Sequence, residues 1–232
     1  MIQHDIIYRS ETERYDRLIA NEDRDGNVFR AIRRIVPGLQ GLDAADIGAG
    51  TGKIARKLAP HVRSLVITDA SEAMLAVAEK HLIAEGRANW RKAQGMNDRL
   101  PLADDAVDLL TAGWTVCYSA SANVPDWENN LARILREIAR VVKPGGTAIL
   151  FENFGTGTSV PNPPDFLTAY YAKLEGQYGF SHQHIQTDFV FESMEEAAAL
   201  TEFFFGREIS EEVVRTKAKR VPGFTGVWWK KY

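Results

Sequence analysis

Asp46-Ile47-Gly48-Ala49-Gly50-Thr51-Gly52 is the stretch on which the reading of this 232-residue chain turns. An apolar approach (Leu42, Ala44, Ala45) runs into it, and Lys53-Ile54-Ala55-Arg56-Lys57-Leu58-Ala59 leaves it with the composition of a helix. Alternate glycines let the backbone turn sharply and let a ligand lie against bare main chain. The helix start that follows offers unpaired N–H groups and a partial positive charge. A glycine turn between strand and helix therefore points to a nucleotide-like cofactor.

Spacing separates the possible cofactors. A phosphate-binding P-loop needs two glycines four residues apart and then Lys-Ser or Lys-Thr. Here three residues separate Gly48 from Gly52, and Ile54 stands where the hydroxyl for Mg²⁺ would be. A dinucleotide fingerprint needs a third glycine that brings helix and strand together over a pyrophosphate, and that position is Lys53. The loop instead closely resembles the first motif of the class I S-adenosylmethionine-dependent methyltransferases, in which an acid stands two places before a G-x-G-x-G turn, as Asp46 does. The chemistry agrees, because this cofactor carries an ammonium-bearing amino-acid tail and no phosphates. A carboxylate is useful beside the first and repulsive beside the second.

Three further stretches carry the same resemblance. Arg63 to Asp69 reads as a buried strand ending in an acid, with Asp69 about twenty residues beyond the glycines, where such folds place a carboxylate on the ribose hydroxyls. A helix signal follows, with Ser71 as N-cap, an apolar stripe at Met74, Leu75, Ala78 and Leu82, and Gly86 to close it. Gly95-Met96-Asn97-Asp98-Arg99-Leu100-Pro101-Leu102 matches the family's third stretch, with Met96 where an adenine-binding Asp is usual. Asp104 to Trp114 resembles the acidic turn and fourth strand. An amphipathic run from Trp127 to Val142 then stops at Lys143-Pro144-Gly145-Gly146, before a fifth strand at Thr147 to Glu152.

The resemblance implies an α/β fold: a Rossmann-like, seven-stranded, mostly parallel sheet with helices on both faces and a final antiparallel strand. It implies S-adenosylmethionine as cofactor and S-adenosylhomocysteine as product. The cofactor contacts it assigns are Asp46, Gly48, Ala49, Gly50, Thr51, Gly52, Asp69, Ala70, Met74, Met96, Asn97, Asp98 and Gly113. Substrate-facing candidates follow the fourth and fifth strands: Trp114, Tyr118, Asn153 and Phe154, joined by His182 and His184 as possible bases. Aromatic rings there can also favour a sulfonium through cation–π attraction.

Outside these motifs, residues 1–36 read as an N-terminal helical cap in two stretches, with Tyr8 and Tyr15 as lid residues over the cofactor. The remainder, 37–232, is the methyltransferase-like unit, with a helical insertion at about 155–180. Ser193 and Glu196 form a capping-box pattern opening a helix to about Phe205, and Val221 to Tyr232 reads as a closing strand.

Several tempting patterns have plainer readings. Asn162-Pro163-Pro164-Asp165 lacks the aromatic fourth residue of a base-flipping motif and reads as a turn before a helix. His182-x-His184 lacks a third ligand nearby, Asp104, Asp105 and Asp108 lack the spacing of a calcium loop, and no metal is expected. Cys117, the single cysteine, has no nucleophile signature and suits a reducing compartment. A net charge of −3 argues against a nucleic-acid surface, and the basic run Arg215, Lys217, Lys219, Arg220 reads as a solvated face. No apolar run approaches a membrane span, so a cytoplasmic protein is expected. The sequence specifies no oligomeric state. A small-molecule acceptor is the favoured substrate. An RNA or protein methyltransferase, a non-catalytic S-adenosylmethionine-binding domain and a nicotinamide oxidoreductase are the alternatives.

Overall fold

The computed structural model describes residues 10–232. Two cap helices, α1 (Thr12–Ala20) and α2 (Asn27–Ile35), lead into an alternating series. It runs β1 (Asp43–Ile47), α3 (Lys53–Leu58), β2 (Ser64–Asp69), α4 (Glu72–Ala84), β3 (Trp90–Gln94) and β4 (Val107–Gly113). Next come α5 (Cys117–Ala120), α6 (Trp127–Val141), β5 (Val142–Thr156), α7 (Asp165–Gly176) and β6 (Ser181–Gln186). An excursion follows, β7 (Phe189–Val190), α8 (Met194–Phe205), α9 (Arg207–Thr216) and β8 (Arg220–Val221), before β9 (Gly223–Lys231).

The seven-stranded sheet has the order β3-β2-β1-β4-β5-β9-β6. β1 pairs in parallel with both β2 and β4, whereas β9 is antiparallel to β5 on one side and β6 on the other. This is the expected Rossmann-like architecture. From β1 the chain winds outward to β3 and returns to begin the other half at β4. The crevice above the carboxyl ends of β1 and β4 is thus the topological switch point, where such sheets bind ligands.

Local chemistry explains the elements that frame this crevice. Ser71 caps α4, its Oγ accepting from the Met74 N–H at 3.4 Å, and the helix buries Met74, Leu75, Ala78 and Leu82. α6 buries Leu131, Ile134, Leu135, Ile138 and Val141 along one stripe. Burying each such Leu or Ile contributes about 1.5–3 kcal/mol. The segment Lys143-Pro144-Gly145-Gly146 ends α6 as expected but is itself part of β5. It forms an irregularity in the pairing with β4, and the Lys143 ammonium binds Asp108 at 3.0 Å and Asp43 at 3.1 Å, tying β5 to β4 and β1.

Two core clusters fill the two faces of the sheet. A third joins Leu18 of α1 to Phe189, Phe191, Leu200, Val213 and Val221 of the excursion. Cap and excursion are sewn together further by main-chain bonds, Asp23 N–H to Asp188 O (3.0 Å) and Val190 N–H to Asn21 O (2.8 Å). The segment expected as an insertion, about 155–180, holds α7, which fills the ordinary crossover between parallel strands. Residues 187–222, between β6 and β9, are the ones that leave the strand–helix alternation.

Candidate active site

A cleft of about 1280 Å³ opens at the switch point, walled by the loops after β1, β2 and β4 and roofed by α1 and the excursion. The glycines of the first loop differ in what surrounds them. Gly48 (φ +56°) leaves no room for a side chain, because a Cβ there would stand 2.0 Å from Thr115 Oγ1. Gly50 (φ +55°) faces the cleft with no heavy atom within 4 Å of where its Cβ would be. That empty cradle is the surface on which a ligand can lie directly against main chain. Gly52 packs against Ala78 of α4 and is not among the residues that line the cleft.

Asp46, Ala49, Thr51, Asp69, Ala70 and Met74 all line the cleft, as do Gly48 and Gly50. Asp69 Oδ2 accepts from the Gly50 N–H at 2.9 Å and Oδ1 from the Ser71 N–H at 2.8 Å, so one carboxylate sets both the glycine turn and the start of α4. Partial burial pushes its carboxyl upward. Asp46 is buried and accepts the Thr111 hydroxyl at 2.7 Å across the β1–β4 pairing. Burial pushes its carboxyl up to about 7.

The third stretch forms the far wall. Met96 lines it, 56% exposed. Asn97 Nδ2 donates to Thr115 Oγ1 at 2.9 Å, and Asp98 lies 3.7 Å from Arg133. Asn97, Asp98 and Gly113 line the same wall.

Of the substrate-facing candidates, Trp114, Tyr118 and Asn153 line the cleft, and so does Tyr15 of the cap. Tyr8 lies outside the described residues. Trp114 holds the left-handed conformation (φ +50°), its N–H donating to Phe151 O at 2.6 Å. Its ring is already engaged by the Lys53 ammonium, 4.5 Å from the centroid, and by Phe151 at 6.3 Å. Tyr118 stands at the rim, 42% exposed.

Phe154, His182 and His184 do not line the cleft. Side chains alternate along a strand, so Asn153 and Phe154 cannot both face the same side. Phe154 instead packs against His182 (5.1 Å), His184 (5.8 Å) and Trp228 (5.9 Å). His182 stacks on Trp228 at 4.4 Å, and burial lowers its pKa. The two imidazoles share a face of β6, as their spacing implies, but that face belongs to an aromatic cluster. Among the described residues no group of three or more His, Cys, Asp and Glu is placed to hold a metal.

Sequence reasoning missed several cleft residues. Phe166, Phe189, Phe204, Phe205 and Phe224 line the cleft from four separate segments, Phe204 and Phe205 both from α8. Glu22, from the turn after α1, pairs with Lys53 inside it. Glu152 lies behind the wall, fully buried, its Oε1 accepting from the Cys117 N–H (3.1 Å) and the Tyr170 hydroxyl (3.3 Å) and its Oε2 without a partner among the described residues. Burial pushes Glu152 up to about 7 and the Cys117 thiol well above its ordinary value, which argues against a thiolate nucleophile.

Residues 45–150 match the family model described as a methyltransferase domain. The demethylmenaquinone methyltransferase of Geobacillus kaustophilus is 30% identical over 181 residues, covering 71% of each chain. This chain belongs to the class I S-adenosylmethionine-dependent methyltransferases. The uncharacterized methyltransferase YcgJ of Bacillus subtilis is 33% identical over 109 residues, 47% of this methyltransferase-family chain and 40% of that protein. The crystal structure of the YcgJ protein superposes with a TM-score of 0.61 at 15% identity, covering 89% of this chain and 97% of that one, a likeness of fold. The chain spans about half the length of the first curated relatives it matches. The family's cofactor is S-adenosylmethionine, and the crevice has the chemistry to take it: an open glycine cradle at Gly50, the Asp69 carboxylate bonded to it, and residues 96–98 lining the same cleft. No helix among the described residues is long and apolar enough to cross a membrane.

Proposed function

We propose that this methyltransferase transfers the methyl group of S-adenosylmethionine to a small, largely apolar acceptor. The observation that carries the reading is that one cleft is lined both by Gly50 and Asp69 and by five phenylalanine rings. The cofactor supplies a methyl already activated on a sulfonium, so the protein's task is alignment of the acceptor. Trp114 and Tyr118, which follow β4, and Asn153 of β5 line the same cleft and would set that approach. Asn123 and Asn153 bring neutral amides to the lining that can meet a hydroxyl or carbonyl on an apolar body. Relatives named as acting on demethylmenaquinone and on malonyl-acyl-carrier protein support an organic acceptor.

The basic run favours this reading over an RNA acceptor. Arg215 binds Glu212 at 2.8 Å, Lys219 donates to Glu192 O at 2.9 Å, and Arg220 pairs with Asp188 at 2.7 Å. These cations are engaged within the chain, where a phosphate-binding face needs them available.

Calorimetric titration with S-adenosylhomocysteine, with NAD and ATP alongside, tests the cofactor. Binding of the first alone is expected, after which candidate acceptors are screened by mass spectrometry for a gained methyl. Preference for NAD would overturn the cofactor assignment. Tight S-adenosylhomocysteine binding with methylation of RNA or protein, and of no small molecule, would overturn the acceptor class.

A further inference from the structure

Glu22 and Lys53 form an ion pair on the cleft wall that the family motifs do not account for. Lys53 follows directly on Gly52, and its side chain is only 18% exposed, that of Glu22 only 8%. Glu22 is delivered there by the cap. Its neighbours Asn21 and Asp23 are bonded through main chain to Val190 and Asp188, and Glu22 itself bridges to Phe189. The carboxylate is therefore placed by backbone contacts rather than by a long side chain reaching across solvent. Burial raises its carboxyl despite the cation beside it, so Lys53 compensates its lost hydration only in part. A lysine in a ligand cleft, neutralised by a carboxylate from a separate element, is the arrangement expected where a ligand's own carboxylate takes that place.

We propose that Lys53 is a carboxylate-binding subsite of the cleft, and that Glu22 fills it until a ligand carboxylate arrives. The inference rests on the cofactor reading above. Two ligands can bring the group: the amino-acid tail of S-adenosylmethionine, or an acidic acceptor. The position of Lys53, on the glycine turn beside the Gly50 cradle, favours the cofactor's tail. Lys53 then holds the tail's carboxylate while its ammonium still lies over Trp114, and Glu22 is turned out with the cap residues that carry it. Cofactor binding and cap position become linked through one cation.

The test titrates wild type, Lys53→Met and Glu22→Gln with S-adenosylhomocysteine and with its decarboxylated analogue, thermal melts confirming that each variant is folded. Lys53→Met is expected to weaken S-adenosylhomocysteine about tenfold or more while changing the analogue by less than about twofold. Glu22→Gln is expected to tighten S-adenosylhomocysteine and leave the analogue unchanged. Benzoate against benzyl alcohol probes the acceptor side in the same three proteins. Loss of benzoate binding alone in Lys53→Met would keep the subsite and move it to the acceptor. Equal effects on both members of each ligand pair, or weaker S-adenosylhomocysteine binding in Glu22→Gln, would make the pair a structural clasp and overturn the proposal. No binding of S-adenosylhomocysteine by wild type would fell the cofactor reading first and this subsite with it.

Discussion

Gly48 and Thr115 occupy adjoining space so closely that a methyl group on the first would lie 2.0 Å from the hydroxyl oxygen of the second. The contact locks the loop after β1 to the loop after β4, and Thr115 in turn receives the Asn97 amide at 2.9 Å. Gly48→Ala must therefore displace Thr115 and also hold alanine at φ +56°. We expect a loss of about 2–4 kcal/mol in stability, together with lost cofactor binding. Gly50→Ala shares the backbone strain but meets no heavy atom of the described residues within 4 Å. It should cost about 1–2 kcal/mol and still abolish cofactor binding. Urea denaturation and S-adenosylhomocysteine titration of the two variants separate the effects. Equal stability losses would show that the Thr115 contact yields easily.

Asp69 and Trp114 should divide binding from turnover. Asp69→Ala leaves the Gly50 and Ser71 N–H groups without their acceptor and removes the carboxylate assigned to the ribose. S-adenosylhomocysteine affinity is expected to fall about tenfold or more. Trp114→Ala removes an aromatic ring from the cleft lining that would orient the acceptor, so kcat should fall about tenfold or more with cofactor affinity little changed. Unaltered affinity in Asp69→Ala would remove the ribose assignment.

The phenylalanines of the cleft should set acceptor affinity. Phe204→Ala or Phe205→Ala is expected to raise KM for the acceptor several-fold without altering S-adenosylhomocysteine binding. His182→Gln and His184→Gln, on the other face of the sheet, should leave both constants unchanged. A collapse of kcat in either histidine variant would contradict their placement in the aromatic cluster.

Glu152 gives the fold a pH dependence whose sign is fixed. Its carboxyl is raised from the ordinary 4.5 up to about 7 by burial, so the folded state binds more protons than the unfolded one between those values. Stability then falls as pH rises through that window and levels off above it. Asp46, raised to about 7 for the same reason, acts in the same sense. Asp43, held below the usual carboxylate range by Arg63, acts in the opposite sense and only in more acid solution. The share belonging to Glu152 is at most about 3 kcal/mol. Glu152→Gln should remove it, flattening stability between about pH 5 and 7 in urea denaturation. An identical slope in the variant would assign the whole effect to other groups.

The half of the molecule from Asp46 to Glu152 was legible because its signals are local. Gly48, Gly50 and Asp69 each declare a backbone geometry or a charge within a few residues of where it is used, and Ser71 caps the helix it precedes. The acceptor half was not legible, because Phe166, Phe189, Phe204, Phe205 and Phe224 converge only through tertiary folding. A phenylalanine gives the same signal in a core as in a cleft. Asn153 and Phe154 are adjacent in sequence but part company in the fold, because side chains alternate along β5 and only Asn153 lines the cleft. Helix α9 escaped notice because Gly206 separates it from α8 and it has no capping side chain. Glu22 and Lys53 stand 31 positions apart, and nothing in either neighbourhood names the other.

The position of β9 imposes an order on synthesis. Among the described residues β6 joins the rest of the sheet through β9 alone, yet residues 223–231 are translated after the strands they join. While the ribosome is still making the excursion, β5 exposes an unpaired edge and β6 has no partner on the sheet. A nascent chain in that state presents open strand edges, the form most prone to pair with a neighbour. Truncations or stalls just short of Gly223 should therefore yield aggregates rather than a smaller folded protein, although the glycine turn, Asp69 and residues 96–98 have by then been made.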